Sequence, residues 1–95
     1  MLVLPEALTQ SQATACLRML VQGLRAQQGK DVVVDASALK HFDSSALAVL
    51  LEFRRECLAL GRLFVVRGLP DRLGNLASLY GIVDLLPSDL PTTVK

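Results

Sequence analysis

The sequence predicts an α/β domain, a central sheet of about four strands flanked by helices, and three observations predict it. Two runs, Asp31-Val-Val-Val-Asp35 and Arg62-Leu-Phe-Val-Val66, have the β-branched and aromatic content of buried strands. Segments with apolar residues at helical spacing separate these runs and follow them. The resulting order, strand, helix, strand, helix, strand, helix, is met most easily by parallel strands joined through right-handed crossovers. With 95 residues the chain has room for one domain, expected over residues 1–87, with a frayed polar tail at 88–95.

The elements follow in order. Residues 1–4 are apolar and stop at Pro5, which suits a strand end. Thr9 with Gln12 three residues on has the Thr-x-x-Gln pattern of a capping box, so a helix starts there. Ala13, Cys16, Leu17, Leu20, Val21 and Leu24 form its apolar stripe, Gln10, Arg18, Gln22 and Arg25 its polar face, and Gly29 is expected to cap its end. Residues 31–35 then read as a strand covered on both faces, and residues 36–42 as a loop. A second helix is expected from Asp43-Ser44-Ser45 to about Leu60, closed by Gly61. Leu47, Leu50, Leu51, Phe53, Cys57 and Leu58 face inward on it, with Glu52, Arg55 and Glu56 on the other side. After the strand ending at Val66, Pro70 suits the first turn of a third helix. That helix packs through Leu73, Leu76, Ala77 and Tyr80 and ends at Gly81; residues 82–86 are a last apolar piece.

Composition narrows the function. A formal net charge of +1 offers no general attraction to nucleic acid or anionic lipid. The few aromatics, Phe42, Phe53, Phe64 and Tyr80, are scattered among apolar residues and read as core rather than as a base-stacking platform. Cys16 and Cys57 fall on apolar stripes, as reduced core thiols of an intracellular protein would. The first ten residues lack the basic start of a secretory signal, and no apolar run approaches the roughly 20 residues of a membrane span.

The parts of a catalytic site are missing. His41 is the one histidine, without Cys or acidic neighbours at metal-ligand spacing, so no metal site is expected. Ser44, His41 and Asp35 make a triad only on paper, because the Gly-x-Ser-x-Gly turn is absent. Neither a Gly-x-Gly-x-x-Gly nor a phosphate-loop lysine is present, and no cofactor is expected. The expectation is a protein that docks onto another protein, not an enzyme. One polar cluster stands out, Asp43-Ser44-Ser45 at the head of an apolar helix. Capping explains one or two of the three. An exposed hydroxyl at a helix N-terminus is also a favourable place for a phosphate, whose charge the dipole and free amides stabilise.

The segment Asp35-Ala-Ser-Ala-Leu-Lys-His-Phe-Asp43-Ser44-Ser45-Ala46-Leu47 resembles the signature of the STAS family, the sulfate transporter and anti-sigma factor antagonist domains. There a strand ends in Asp and, after a short loop, a helix opens with Asp-Ser/Thr-x-Gly-Leu; Ala46 stands in place of that glycine. The likeness covers roughly residues 31–86 and implies a STAS-like fold. The family usually has two strands before the first helix, and this chain has room for about one. In anti-sigma factor antagonists a partner kinase phosphorylates the first hydroxyl of the motif, which implies Ser44 here.

Asn75-Leu-Ala-Ser-Leu-Tyr80-Gly-Ile-Val-Asp-Leu-Leu86-Pro87 is similar to the end of the STAS subunit of Mla phospholipid ABC transporters. That likeness implies a cytoplasmic accessory subunit that binds the transporter's ATPase subunit and reaches the inner membrane only through it. Asp43, Ser44, Ser45, Ala48, Glu52 and Arg55, at the start and on the exposed face of the second helix, would make the contact. The alternative implied by the broader family is an anti-sigma factor antagonist whose partner is a serine kinase acting on Ser44.

Overall fold

The computed structural model describes residues 2–87; Met1 and the expected tail at 88–95 lie outside the described residues. The elements are β1 (Leu2–Val3), β2 (Ala7–Leu8), α1 (Gln10–Ala26), β3 (Asp31–Asp35), β4 (His41–Phe42), α2 (Ser44–Ala59), β5 (Leu63–Arg67), α3 (Asp71–Leu79) and a short 3-10 turn (Val83–Leu85). Among the described residues the main sheet has three strands in the order β1-β3-β5, all parallel, with Val32 opposite Phe64 and Val34 opposite Val66. β2 and β4 form a separate parallel pair. The sheet is thus one strand smaller than expected. Residues 82–86 wind into the 3-10 turn instead of pairing, and only Val66 N–H reaches out, to the Pro87 carbonyl at 2.7 Å.

The region before α1 also differs from expectation. Two strands fit there because each is only two residues long. The second of them makes a partner strand out of His41 and Phe42, which read as loop.

Spacing explains the core. In β3 and β5 Val32, Val34, Phe64 and Val66 are buried, while Val33 and Val65 on the opposite face are half-buried. Cover on both faces is therefore incomplete. The buried side chains of all three helices join a single cluster with Val32, Val34, Phe64 and Val66, which leaves the other face less protected. Cys16, Leu20 and Leu24 come from α1, Ala46, Leu47, Val49, Leu50, Phe53 and Cys57 from α2, and Leu73 and Ala77 from α3. Phe53 and Phe64 meet edge to face, with ring centroids 6.1 Å apart. Two expected core residues are outside: Leu58 is 46% exposed and Tyr80 56%. Each sits at the end of its helix, where the chain turns away from the core. Cys16 and Cys57 are free and buried, and burial pushes both thiols above their ordinary value.

The helix ends have identifiable causes. Gln12 Oε1 accepts from the Thr9 N–H at 2.8 Å and from its hydroxyl at 2.6 Å, closing the first turn of α1. At the other end α1 stops before Gly29, because Gln27 is already extended while its N–H bonds Gly23. Gly29 lies in the turn that follows. α2 ends as expected: Gly61, at φ 70°, sends its N–H to Leu58, and the next N–H, of Arg62, goes back to Cys57. The Arg62 side chain then reaches α1. Its Nε donates to the Gly29 carbonyl and its Nη1 to that of Leu24, both at 2.8 Å. In α3 Pro70 is the cap, one residue ahead of the expected first turn.

Candidate functional site

The loop from β3 to α2 is held at several points. Ala36 and Leu39 are buried. Ala36 N–H bonds the Arg67 carbonyl at 2.8 Å, and the N–H groups of Lys40 and His41 both bond the Glu6 carbonyl. The Lys40–Glu6 ion pair at 3.7 Å is exposed and adds little. At the loop's start the Ser37 hydroxyl and N–H hold the Asp35 carboxyl below its ordinary value. At its end stands Asp43, with an extended backbone, as the cap of α2.

Asp43 serves two helices. Its Oδ1 accepts from the Ser45 N–H at 2.8 Å, and its Oδ2 from the N–H of Gln10, the first residue of α1, at 3.2 Å. The Ser45 N–H is the main cause that holds the Asp43 carboxyl below the usual aspartate value, with the Gln10 N–H and the Ser45 hydroxyl assisting and desolvation opposing. The three residues of the cluster are therefore not equivalent. Asp43 and Ser45 are engaged in the cap. Ser44, the first residue of α2, is exposed, and its hydroxyl makes no hydrogen bond among the described residues.

Both acids have folded-state values below their unfolded ones, so their contribution to stability is present above the ordinary aspartate value of about 3.9 and is lost as pH falls through the lower folded values. Urea midpoints followed from pH 7 downward should drop in that acidic range. Asp43→Asn should flatten the drop, because Asn caps as well but does not titrate there. An unchanged pH profile in that variant would contradict the role given to Asp43.

Ser44, Ala48, Glu52 and Arg55 fall within about 80° of one another at roughly 100° per residue, forming one stripe. Ala48 and Arg55 are exposed, Glu52 is partly so, and Arg55 Nη1 pairs with Glu52 Oε1 at 3.2 Å. Four of the six residues expected to form a docking face thus share one stripe; Asp43 stands at its head as the cap, and Ser45 is turned aside into that cap. A low surface at Ser44 and Ala48 leads to a charged rim. Ser44→Ala should alter stability by less than about 1 kcal/mol, the scale of a minor cap, in a thermal melt. A larger loss would mean that the hydroxyl supports the fold.

His41 is exposed on β4. Among the described residues its ring hydrogen-bonds neither Ser44 nor Asp35, which is engaged by Ser37. No three His, Cys, Asp or Glu side chains converge on a common point among the described residues. No helix there is long and apolar enough to cross a membrane.

At Phe42, the residue before the α2 cap, lies an open groove of about 370 Å³ between the β4 end and α3, lined by Phe42, Arg72, Asn75, Leu76 and Leu79. The Arg72 guanidinium carbon stands 5.4 Å from the centroid of the Phe42 ring. Sequence reasoning did not single out Arg72, Asn75 or Leu79 as site residues. The groove exists only because α3 packs next to a residue 30 or so positions earlier, and helical spacing within α3 does not reveal that.

A family model described as "Mlab, STAS domain" matches residues 1–87. None of the curated proteins compared with the chain matches it.

Proposed function

The chain belongs to the STAS-domain family in its Mlab-like form, and from that premise we propose that it is a non-catalytic accessory subunit of an Mla-type phospholipid ABC transporter. It binds and supports the ATPase subunit, and through that partner it sits at the inner membrane from the cytoplasmic side. The observation that carries the reading is the Mlab match over residues 1–87. The stripe at the start of α2 supports it, since small residues there leave room for close approach and a charged pair borders them. Contact runs through Asp43, Ser44, Ser45, Ala48, Glu52 and Arg55.

The test is co-purification with an Mla-type ATPase subunit from the same cells, without added kinase or ATP. A stable complex is expected. Arg55→Glu should weaken it by about tenfold, by placing a second acid beside Glu52 at the rim. Arg18→Glu, on the exposed side of α1, should leave it intact. Equal effects of the two reversals would move the interface elsewhere.

The exposed, unbonded hydroxyl of Ser44 favours a second reading, an anti-sigma factor antagonist switched by phosphorylation there. A chain that ignores the ATPase subunit, binds a serine kinase and gains one phosphate by intact mass would establish that reading and exclude the first.

A further inference from the structure

The groove between Phe42 and α3 adjoins the proposed docking face without belonging to it. Its apolar lining is Phe42, Leu76 and Leu79, and Leu79 is 78% exposed. Among the described residues Arg72 is the only charged one in the lining, and Asn75 contributes an amide. Among the described residues Arg72 makes no ion pair and no hydrogen bond; its one contact of this kind is with the Phe42 ring. A guanidinium carries five N–H donors in a fixed fork, and the ring face accepts none of them strongly.

This combination selects its occupant by charge. An apolar side chain covering Leu76 and Leu79 withdraws the Arg72 guanidinium from water, and a segment with no acid leaves that cation without a counter-charge. A basic segment is repelled. A single cation is too little for a phosphate backbone, which needs several. A carboxylate beside the apolar side chain meets both demands.

We propose that the groove receives an acidic and apolar segment of a partner protein, with an aliphatic or aromatic side chain against Phe42, Leu76 and Leu79 and a carboxylate paired with Arg72. Only the identity of the protein that carries the segment rests on the function proposed above; the chemistry of the groove does not.

A random peptide library displayed on phage and panned against the full chain tests this, with Arg72→Glu panned in parallel. Arg72 is the second residue of α3, where an acid suits the helix dipole, so the variant keeps its fold, as a circular dichroism melt would verify. Enriched peptides should carry Asp or Glu within about four residues of Leu, Ile or Phe. Synthesised and titrated by fluorescence polarisation, they should bind Arg72→Glu at least about tenfold more weakly and should also weaken on Leu79→Ser. No enrichment, or peptides that bind Arg72→Glu as well as the unaltered chain, would overturn the proposal. So would displacement of the selected peptides by a synthetic peptide of residues 88–95, which would assign the groove to this chain's own end. Co-purification with the ATPase subunit reads out separately. If it fails while acidic peptides are selected, the named partner is lost and the groove stands; the reverse result removes the groove alone.

Discussion

Phe53→Ala should cost about 4 kcal/mol in urea denaturation followed by circular dichroism. Phe53 is fully buried, sits at the middle of α2 and meets Phe64 edge to face. Truncation therefore removes the ring's transfer energy and its contact with Phe64, and leaves a cavity between α2 and β5. Most of the remaining core is aliphatic and carried on helix and strand backbones, so it closes over the space only in part. Native domains have only about 5–15 kcal/mol in hand, and a chain this small stands toward the lower end, so the variant should be substantially unfolded near body temperature. Phe53→Leu keeps most of the volume and should lose about 1–2 kcal/mol. A loss below 1 kcal/mol for the alanine variant would mean that α2 does not pack as described.

Gly68→Ala is expected to cost about 3 kcal/mol, from a left-handed backbone and from a collision. Gly68 has φ 70°, and an added Cβ would lie 2.8 Å from Ser37 Cβ and 3.2 Å from its Cα. Backbone cannot rotate away as a side-chain tip can, so the loop after β3 would have to move. That loop leads to Asp43 and Ser44, hence the variant should also weaken partner binding beyond its loss of stability. Gly74→Ala is the control. Gly74 lies inside α3 with nothing nearer than Leu69 Cδ2 at 3.9 Å, and alanine there should be neutral or stabilising by up to about 1 kcal/mol.

The two positions mark what a sequence displays and what it conceals. The stripe through Leu47, Leu50, Phe53 and Cys57 and the runs at 32–34 and 64–66 are periodic, and periodicity is a local property that survives in one dimension. The cap of α2 at Asp43 and the glycine that follows its end, Gly61, are local signals as well. The β2–β4 pair was not legible, because two-residue strands have no period and exist only through each other. Leu58 and Tyr80 keep the spacing of core residues but lie where their helices end, and the period does not show where the core stops. At the candidate site, the stripe from Ser44 to Arg55 follows from helical geometry alone. That Ser45 is consumed in the cap while Ser44 is free follows from Asp43 geometry, and the groove follows from how α3 lies against Phe42. Those are relations between distant segments.

The same relations govern how α1 is held. Its first amide, at Gln10, is taken by Asp43, 33 residues later, and its last turn gives the Leu24 carbonyl to Arg62, 38 residues later. One holder precedes α2 and the other follows it. The N-terminal end of α1 is completed only when the chain as far as Asp43 is in place and its C-terminal end only when Arg62, past α2, is in place, and neither can fray without giving up a contact made far along the chain. A helix on its own would melt from its ends inward. This one is bound at both ends to the remainder of the molecule, which ties its loss to that of the whole and favours a single cooperative unfolding transition.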